Sequence, residues 1–277
     1  METGETKLAY IPKRSYLFVP GHRPELIAKA KGKGAHAVVV DLEDAVGPDA
    51  KADARESLRG WLKSGREIYV RINSSGTSHF EADLTLVGSP GVCGVILPKC
   101  ERSEEVERVR SAGASCVIPL VETARGFRNV EALCQTESVQ RILFGTIDFQ
   151  VDLGIVGDGD ELLYFRSHIV LVSKLYGLQA PIDGVCTAIG DENRLRDETE
   201  RGKRLGFGAK ACIHPSQVEV VNRAFRPTAD QITWAHRVLA AFSESGGGAV
   251  SVDGQMIDVP VVLQAREILS SAGEPVS

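Results

Sequence analysis

The sequence predicts an α/β fold: a (β/α)8 TIM barrel carrying a C-terminal helical and hairpin lid extension. Three observations point there. Eight short apolar, β-branched runs recur along the chain, stretches of helical periodicity lie between them, and no G-x-G-x-x-G turn follows the first run. Alternating strands and helices build right-handed β-α-β units on a parallel sheet. Eight such units suit a closed barrel, which has no edge strands; an open doubly wound sheet is the alternative.

The runs, in order, are Tyr16–Val19, Ala37–Leu42, Ile68–Ile72, Gly94–Leu97, Cys116–Val121, Arg141–Gly145, Gln179–Ile182 and Ala209–Ile213. Helical spacing of apolar residues marks, among others, Glu25–Lys31, Lys51–Leu62, Ser103–Ala112, Glu161–Tyr176 and Asn193–Leu205. Beyond His214 the pattern changes. Thr228 with Gln231 three residues on is a capping box, opening a helix through Phe242. Gly246-Gly247-Gly248 then breaks the chain, Val250–Ile257 reads as a hairpin turning on Asp253-Gly254, and Pro260 starts a last helix with Asp258 near its N-terminus. A catalytic barrel is expected over residues 14–222 and a lid and oligomer-contact extension over 223–277.

Charge and composition exclude whole classes of function. The 37 acidic and 32 basic residues give a net charge of −5 with no long block of like charges, so the footprint of a nucleic-acid binder is missing. Apolar runs such as Val38-Val39-Val40 fall far short of the roughly 18 residues a membrane span needs, and the polar N-terminus lacks a signal-like core. A cytoplasmic protein with neither a membrane nor a nucleic-acid partner is expected. The six cysteines have no C-x-x-C spacing, and several sit in apolar stretches where thiols pack as small hydrophobes.

A parallel barrel carries its active site at the C-terminal ends of its strands. The residues there are Asp41, Glu43 and Asp44 after run two, Arg71 and Asn73 at run three, Lys99 after run four, Glu122 and Arg125 after run five, Asp148 after run six, Asp183 after run seven and His214-Pro215-Ser216 after run eight. Glu122 and Asp148, on neighbouring strands, suit a hard cation: Mg²⁺ takes one or two protein carboxylates and completes its shell with water and substrate oxygens. The plainer reading is that each acid caps the next helix. Strand alternation puts Arg71 on one face with Tyr69 and Asn73, a planar fork for a substrate carboxylate or a partner for Asp41 or Glu43. Gly154–Glu161 lacks the signature of a phosphate or calcium loop and reads as surface.

Six ordered segments carry a resemblance: Arg14–Pro24, Asp41–Val46, Val70–Asn73, Leu97–Lys99, Glu122–Gly126 and Cys212–Gln217. From about residue 14 to about 270 the chain resembles the citrate lyase beta-subunit-like family of the HpcH/HpaI aldolase superfamily, which includes malyl-CoA and citramalyl-CoA lyases. The resemblance implies a (β/α)8 barrel assembled as a homo-oligomer, trimer or hexamer. It implies Glu122 and Asp148 as Mg²⁺ ligands and Arg71 at the keto-acid part of the substrate; Glu122 is expected at the substrate as well, and Asp41, Glu43 and Asp44 are expected to support the site. Gly254–Asp258 matches a lid motif whose aspartate, from the neighbouring subunit, serves in proton transfer; helix capping is the structural alternative for Asp258. The implied reaction is reversible carbon–carbon cleavage of a β-hydroxyacyl-CoA such as malyl-, citramalyl- or citryl-CoA into a 2-oxo acid and acetyl-CoA. An aldolase on free 2-oxo acids, a malyl-CoA-type thioesterase and a non-catalytic CoA-binding subunit are the alternatives. Phe144–Phe149 lacks the second acid relatives often carry there, and Ile182–Ile189 also departs from the family pattern, so acceptor specificity is not implied.

Overall fold

The structure, a computed structural model, describes residues 12–63, 65–246 and 248–274. The chain divides into two compact units, one spanning Lys13–Phe225 and one comprising the residues from Arg226 onward together with Pro12.

In the first unit eight parallel strands close in sequence order, the eighth pairing with the first. Strand β1 (Ser15–Pro20) leads through α1 (Glu25–Gly32) to β2 (Ala37–Asp41), then α2 (Lys51–Leu62), β3 (Ile68–Arg71), α3 (Phe80–Val87), β4 (Val92–Leu97) and α4 (Ser103–Ser111). Strand β5 (Val117–Val121) is followed by two short helices, α5 (Ala124–Arg128) and α6 (Val130–Cys134), and β6 (Leu143–Phe144) by α7 (Thr146–Leu153) and α8 (Leu163–Leu175). The circuit ends with β7 (Ile182–Asp183), α9 (Glu192–Leu205), β8 (Ala209–Cys212) and α10 (Ser216–Phe225).

Two cores divide the strand residues by parity. Tyr16, Val39, Tyr69, Ile96, Ile118, Leu120, Leu143, Ile182 and Ala211 fill the barrel interior, while the alternate residues, such as Leu17, Val40, Val70 and Val121, pack against the helices. The closed barrel predicted from strand count is observed. Strands six and seven are shorter than the sequence suggests, and seven starts later. Pro181 has no N–H to give to the ladder, and β6 meets β7 at the single pair Leu143–Ile182. Arg141, expected to begin strand six, instead donates to the carbonyl oxygens of Ala180 and Lys13 and to the Tyr16 hydroxyl. Cys100, Cys116, Cys134, Cys186 and Cys212 are buried, packed as small apolar groups.

The second unit is a helical hairpin wrapped on a small ribbon. Helix α11 (Ala229–Glu244) opens on the Thr228–Gln231 capping box, β9 (Val250–Val252) and β10 (Gln255–Ile257) pair antiparallel, and α12 (Val259–Ala272) closes the unit. Asp253 and Gly254 both have positive φ, 52° and 77°, as a two-residue hairpin turn requires. Ala235, Val238, Ile257, Val262, Ala265 and Leu269 form its core. Of the expected glycine break, Gly247 lies outside the described residues. Among those described, no helix is long and apolar enough to cross a membrane.

Candidate active site

The inward parity that fills the barrel continues past the last ladder rungs and dictates what reaches the mouth. Counting by twos, Tyr69 leads to Arg71, Leu120 to Glu122, Val39 to Asp41 and Ala211 to Ile213. Asp41, Arg71, Glu122 and Ile213 line a cavity of about 430 Å³. The strand order splits its wall in two. All its charged groups, Asp41, Asp44, Arg71, Glu122 and Asp148, come from the β2 to β6 side, where Leu120, Leu143 and Phe144 lie among them, while β7, β8 and β1 supply uncharged residues such as Val185, Ala211, Ile213 and Phe18. Among the described residues, Arg71 is the only basic side chain lining it.

Arg71 is held from three directions. Its Nε and Nη2 donate to the two oxygens of Asp41 at 2.8 and 2.6 Å, a planar bidentate pair. Its Nη1 lies 3.0 Å from Glu43 and 3.7 Å from Asp44, and the guanidinium sits over the Phe18 ring at 5.1 Å from its centroid. Burial works against the charge, but the Asp41 hydrogen bonds and the surrounding carboxylates more than compensate, so the Arg71 pKa is raised. Of the two roles left open for Arg71, the pairing with Asp41 and Glu43 is observed, and the paired guanidinium also borders the cavity.

Asp41 is itself anchored, accepting from the amides of Glu43 at 2.8 Å and Ala45 at 3.1 Å. Buried Lys51 donates to the carbonyl oxygens of Leu42 and Glu43, both at 2.8 Å, and Asn73 donates to that of Leu42 at 3.0 Å. Gly21 lets β1 pass close by, since a Cβ there would lie 2.8 Å from the Asp41 carbonyl oxygen. Lys51 and Gly21 were not singled out by sequence; the short D-L-E-D turn, whose carbonyls need donors, is the signal that could have found Lys51.

Glu122 is 4% exposed and accepts the Lys99 amide at 2.8 Å through Oε1. Burial, then repulsion from Glu43 and Asp148, raises its pKa to about 8. Burial likewise lifts Glu43 to about 7, against the attraction of Arg71. The Oε2 of Glu43 is within ion-pair distance of Arg71 yet has no hydrogen bond of good geometry among the described residues. Gly145 makes room for Glu122, because a Cβ at 145 would come within 2.6 Å of its Oε2. Asp148, expected to close strand six, sits instead in the first turn of α7, half-buried and facing the same cavity. The strand ends early and the chain turns helical at Thr146, so the acid arrives from a helix.

These oxygens fit a magnesium ion. Glu122 and Asp148 border one cavity, burial and like charge disfavour the ionised form of Glu122, and a hard divalent cation relieves both. No group of three or more His, Cys, Asp or Glu among the described residues is arranged to hold a metal. Two carboxylates with water and substrate oxygens are the composition Mg²⁺ accepts.

Other expected positions fall elsewhere. Asp183 is off parity: it points outward into the helix layer, 3.0 Å from Arg166 and 3.2 Å from Lys210. Arg125 is exposed and paired with Glu101 at 3.2 Å. In the His214 segment, Gln217 accepts from the amides of Ile213 and His214 and donates to the Cys186 carbonyl at 2.8 Å, tying strand end eight to the loop after seven. The Gly154–Glu161 loop is held through Asp158, which binds both Arg166 and Arg201 at 2.6 Å. Asp258, in the second unit, caps α12 by accepting the Val261 amide at 3.4 Å.

The family model for HpcH/HpaI aldolase/citrate lyase matches residues 14–215, about three quarters of the chain. The chain belongs to the HpcH/HpaI aldolase/citrate lyase family. It is 37% identical over 275 residues to a citrate lyase subunit beta-like protein of Deinococcus radiodurans, covering 93% of this chain and 96% of that one. It is 34% identical to the mitochondrial citramalyl-CoA lyase of Rattus norvegicus, covering 95% and 87% of the two chains. With a (3S)-malyl-CoA thioesterase of Cereibacter sphaeroides it shares 33% identity over 94% and 95%. The structure superimposes on the CitE protein of Mycobacterium tuberculosis in complex with magnesium, acetoacetate and coenzyme A with a TM-score of 0.84 and 35% identity, covering 95% and 99% of the chains. The proteins it resembles thus include a lyase, a thioesterase and a protein crystallised with magnesium and coenzyme A.

Proposed function

We propose that this chain is a Mg²⁺-dependent carbon–carbon lyase that cleaves, or in reverse forms, a β-hydroxyacyl-CoA thioester such as malyl-, citramalyl- or citryl-CoA. The observation that carries the reading is the meeting of Glu122, Asp148 and Arg71 at one cavity. Glu122 and Asp148 would hold the metal. When bound, Mg²⁺ supplies Lewis-acid charge to the substrate's carboxylate and hydroxyl oxygens.

Arg71, kept protonated and oriented by Asp41, Glu43 and Asp44, turns its positive charge toward the hydroxyl oxygen as that oxygen becomes negative. The hydroxyl proton passes to solvent, the carbon–carbon bond breaks, the hydroxyl carbon becomes the 2-oxo group, and the electron pair of the broken bond passes into the thioester enolate. One proton then returns to the enolate carbon, giving acetyl-CoA. Asp258 is the proposed donor, reaching the site from the extension of a neighbouring subunit in a cytoplasmic homo-oligomer, trimer or hexamer. Its capping bond to Val261 fixes the start of α12 and so the place from which it would act.

A thioesterase is the second reading, favoured by the Cereibacter relative. The products separate the two. Incubation with malyl-, citramalyl- and citryl-CoA at fixed Mg²⁺ is expected to release a 2-oxo acid and acetyl-CoA, with activity lost in EDTA. Release of the hydroxy acid and free CoA with no 2-oxo acid would replace the lyase with the thioesterase. Turnover of free hydroxy acids would point to the aldolase alternative.

A further inference from the structure

We propose that Lys99 is held in a left-handed backbone conformation so that its amide meets Glu122, which makes it a positioning residue for that carboxylate; the inference rests on the Mg²⁺ reading above. Three non-glycine residues have positive φ among those described: Lys99 at 47°, Ser138 at 73° and Asp253 at 52°. Asp253 occupies a hairpin turn that demands this geometry. Lys99 follows Pro98 in the tight turn after β4, at a position where glycine or asparagine is the usual occupant, and lysine lacks the short polar side chain that lets Asp or Asn bond its own backbone there. A strained residue persists only where its surroundings over-determine it.

Those surroundings are the site. The Lys99 amide donates to Glu122 Oε1 at 2.8 Å, and the next amide, Cys100, donates to the Leu120 carbonyl at 3.3 Å, so the turn after β4 is stapled to β5 on both sides of the strained bond. The opposite face of Glu122 is bounded by Gly145, where a Cβ would lie 2.6 Å from Oε2. One carboxylate oxygen is thus met by a donor and the other by a surface without a side chain. The Lys99 side chain accounts for lysine in place of glycine: its ammonium lies 3.5 Å from Glu43 Oε1, so a single residue holds Glu122 by its backbone and faces Glu43 with its charge.

Two variants separate these devices. Lys99→Gly discards the ammonium and keeps the left-handed backbone without strain; Lys99→Val discards the ammonium and, being β-branched, is driven out of that region. Calorimetric titration of Mg²⁺ into the metal-free full chain is expected to show binding about tenfold tighter in Lys99→Gly than in Lys99→Val, the size of effect seen when a ligand's supporting contact is lost. Thermal melting without metal is expected to place Lys99→Gly about 2 °C above the wild type and Lys99→Val below it. If the Val variant does not fold, Lys99→Ala replaces it, with an expected separation of about threefold. Equal Mg²⁺ affinities in the Gly and branched (or Ala) variants would overturn the positioning role, and a Gly variant melting below the wild type would overturn the strain. A wild type that binds no Mg²⁺ while the melting order holds would overturn the metal reading and leave the strain at Lys99 standing.

Discussion

Two buried charge clusters in the barrel unit are built from the same residue types and end in opposite electrostatic states. At the mouth, Asp41, Glu43, Asp44, Glu122 and Asp148 crowd around Arg71 and Lys99, and the carboxyls of Glu43 and Glu122 are pushed up to about 7 and about 8. Behind β7 and β8, Asp183, Glu198 and Asp158 meet Arg166, Lys210, Arg194 and Arg201. Burial opposes the charge of Asp183, but Lys210 and Arg166 prevail and its pKa is lowered. The rear cluster is charge-satisfied and braces the barrel wall. The mouth has more acid than cation, and that deficit is what a divalent ion would fill.

The sharpest way to break this contrast is to unbalance the rear cluster. Lys210→Met leaves Asp183, 1% exposed, with one partner fewer, and should cost about 3–5 kcal/mol of stability in urea unfolding, as expected when one member of a buried pair is removed. The mouth should respond the other way. Glu122→Ala, Asp148→Ala or Arg71→Ala should each lower lyase turnover by about 3 kcal/mol of transition-state stabilisation, a few hundredfold, with the barrel still folded by circular dichroism. Retained Mg²⁺-dependent cleavage in Glu122→Ala would sink the metal assignment.

The two clusters should also titrate with opposite sign. Glu43 and Glu122 have folded pKa values above their ordinary 4.5, so in metal-free protein their contribution is present below pH 4.5 and is lost as pH rises through about 7 and about 8. Asp183 has a folded pKa below its ordinary 3.8, so its contribution is present above that value and is lost as pH falls through the depressed one. Melting temperatures in EDTA across this range should therefore fall toward alkaline pH in the wild type and less so in Glu43→Gln. The acid limb should be shallower in Asp183→Asn. The smallest effect is expected on the surface of the second unit: Arg237→Ala removes a half-exposed pair with Asp253 and should change stability by no more than about 0.5 kcal/mol in the same unfolding assay.

What the sequence revealed, and what it hid, follows from which patterns are local. Eight buried β-branched runs mark the barrel, and alternation along Tyr69-Val70-Arg71 brings Arg71 to the mouth because the same alternation fills the interior. Counted onward from Ile182, that rule also places Asp183 outside, whereas collecting the polar residue after each run places it wrongly at the mouth. Pro181 shortens β6 and β7 through a missing donor, legible only once the ladder partners are known. Asp148 belongs to a helix because the strand before it stops early. Lys99 stands among the strand-end residues, but its part in holding Glu122, like that of Gly145, leaves no local pattern: a positive φ and an absent Cβ matter there only because Glu122, more than twenty residues from each, packs against both.

The divided wall of the cavity has a stereochemical consequence. A carbon bearing a hydroxyl, a carboxylate and a bond to be broken can offer its two oxygen groups to the charged residues of the β2 to β6 side in either handedness, because exchanging its other two substituents leaves that match intact. Handedness is set by a third point, the direction in which the breaking bond is held. Under the lyase reading, a racemic thioester consumed to half would mark such a third contact, and full consumption would mean that the divided wall acts alone.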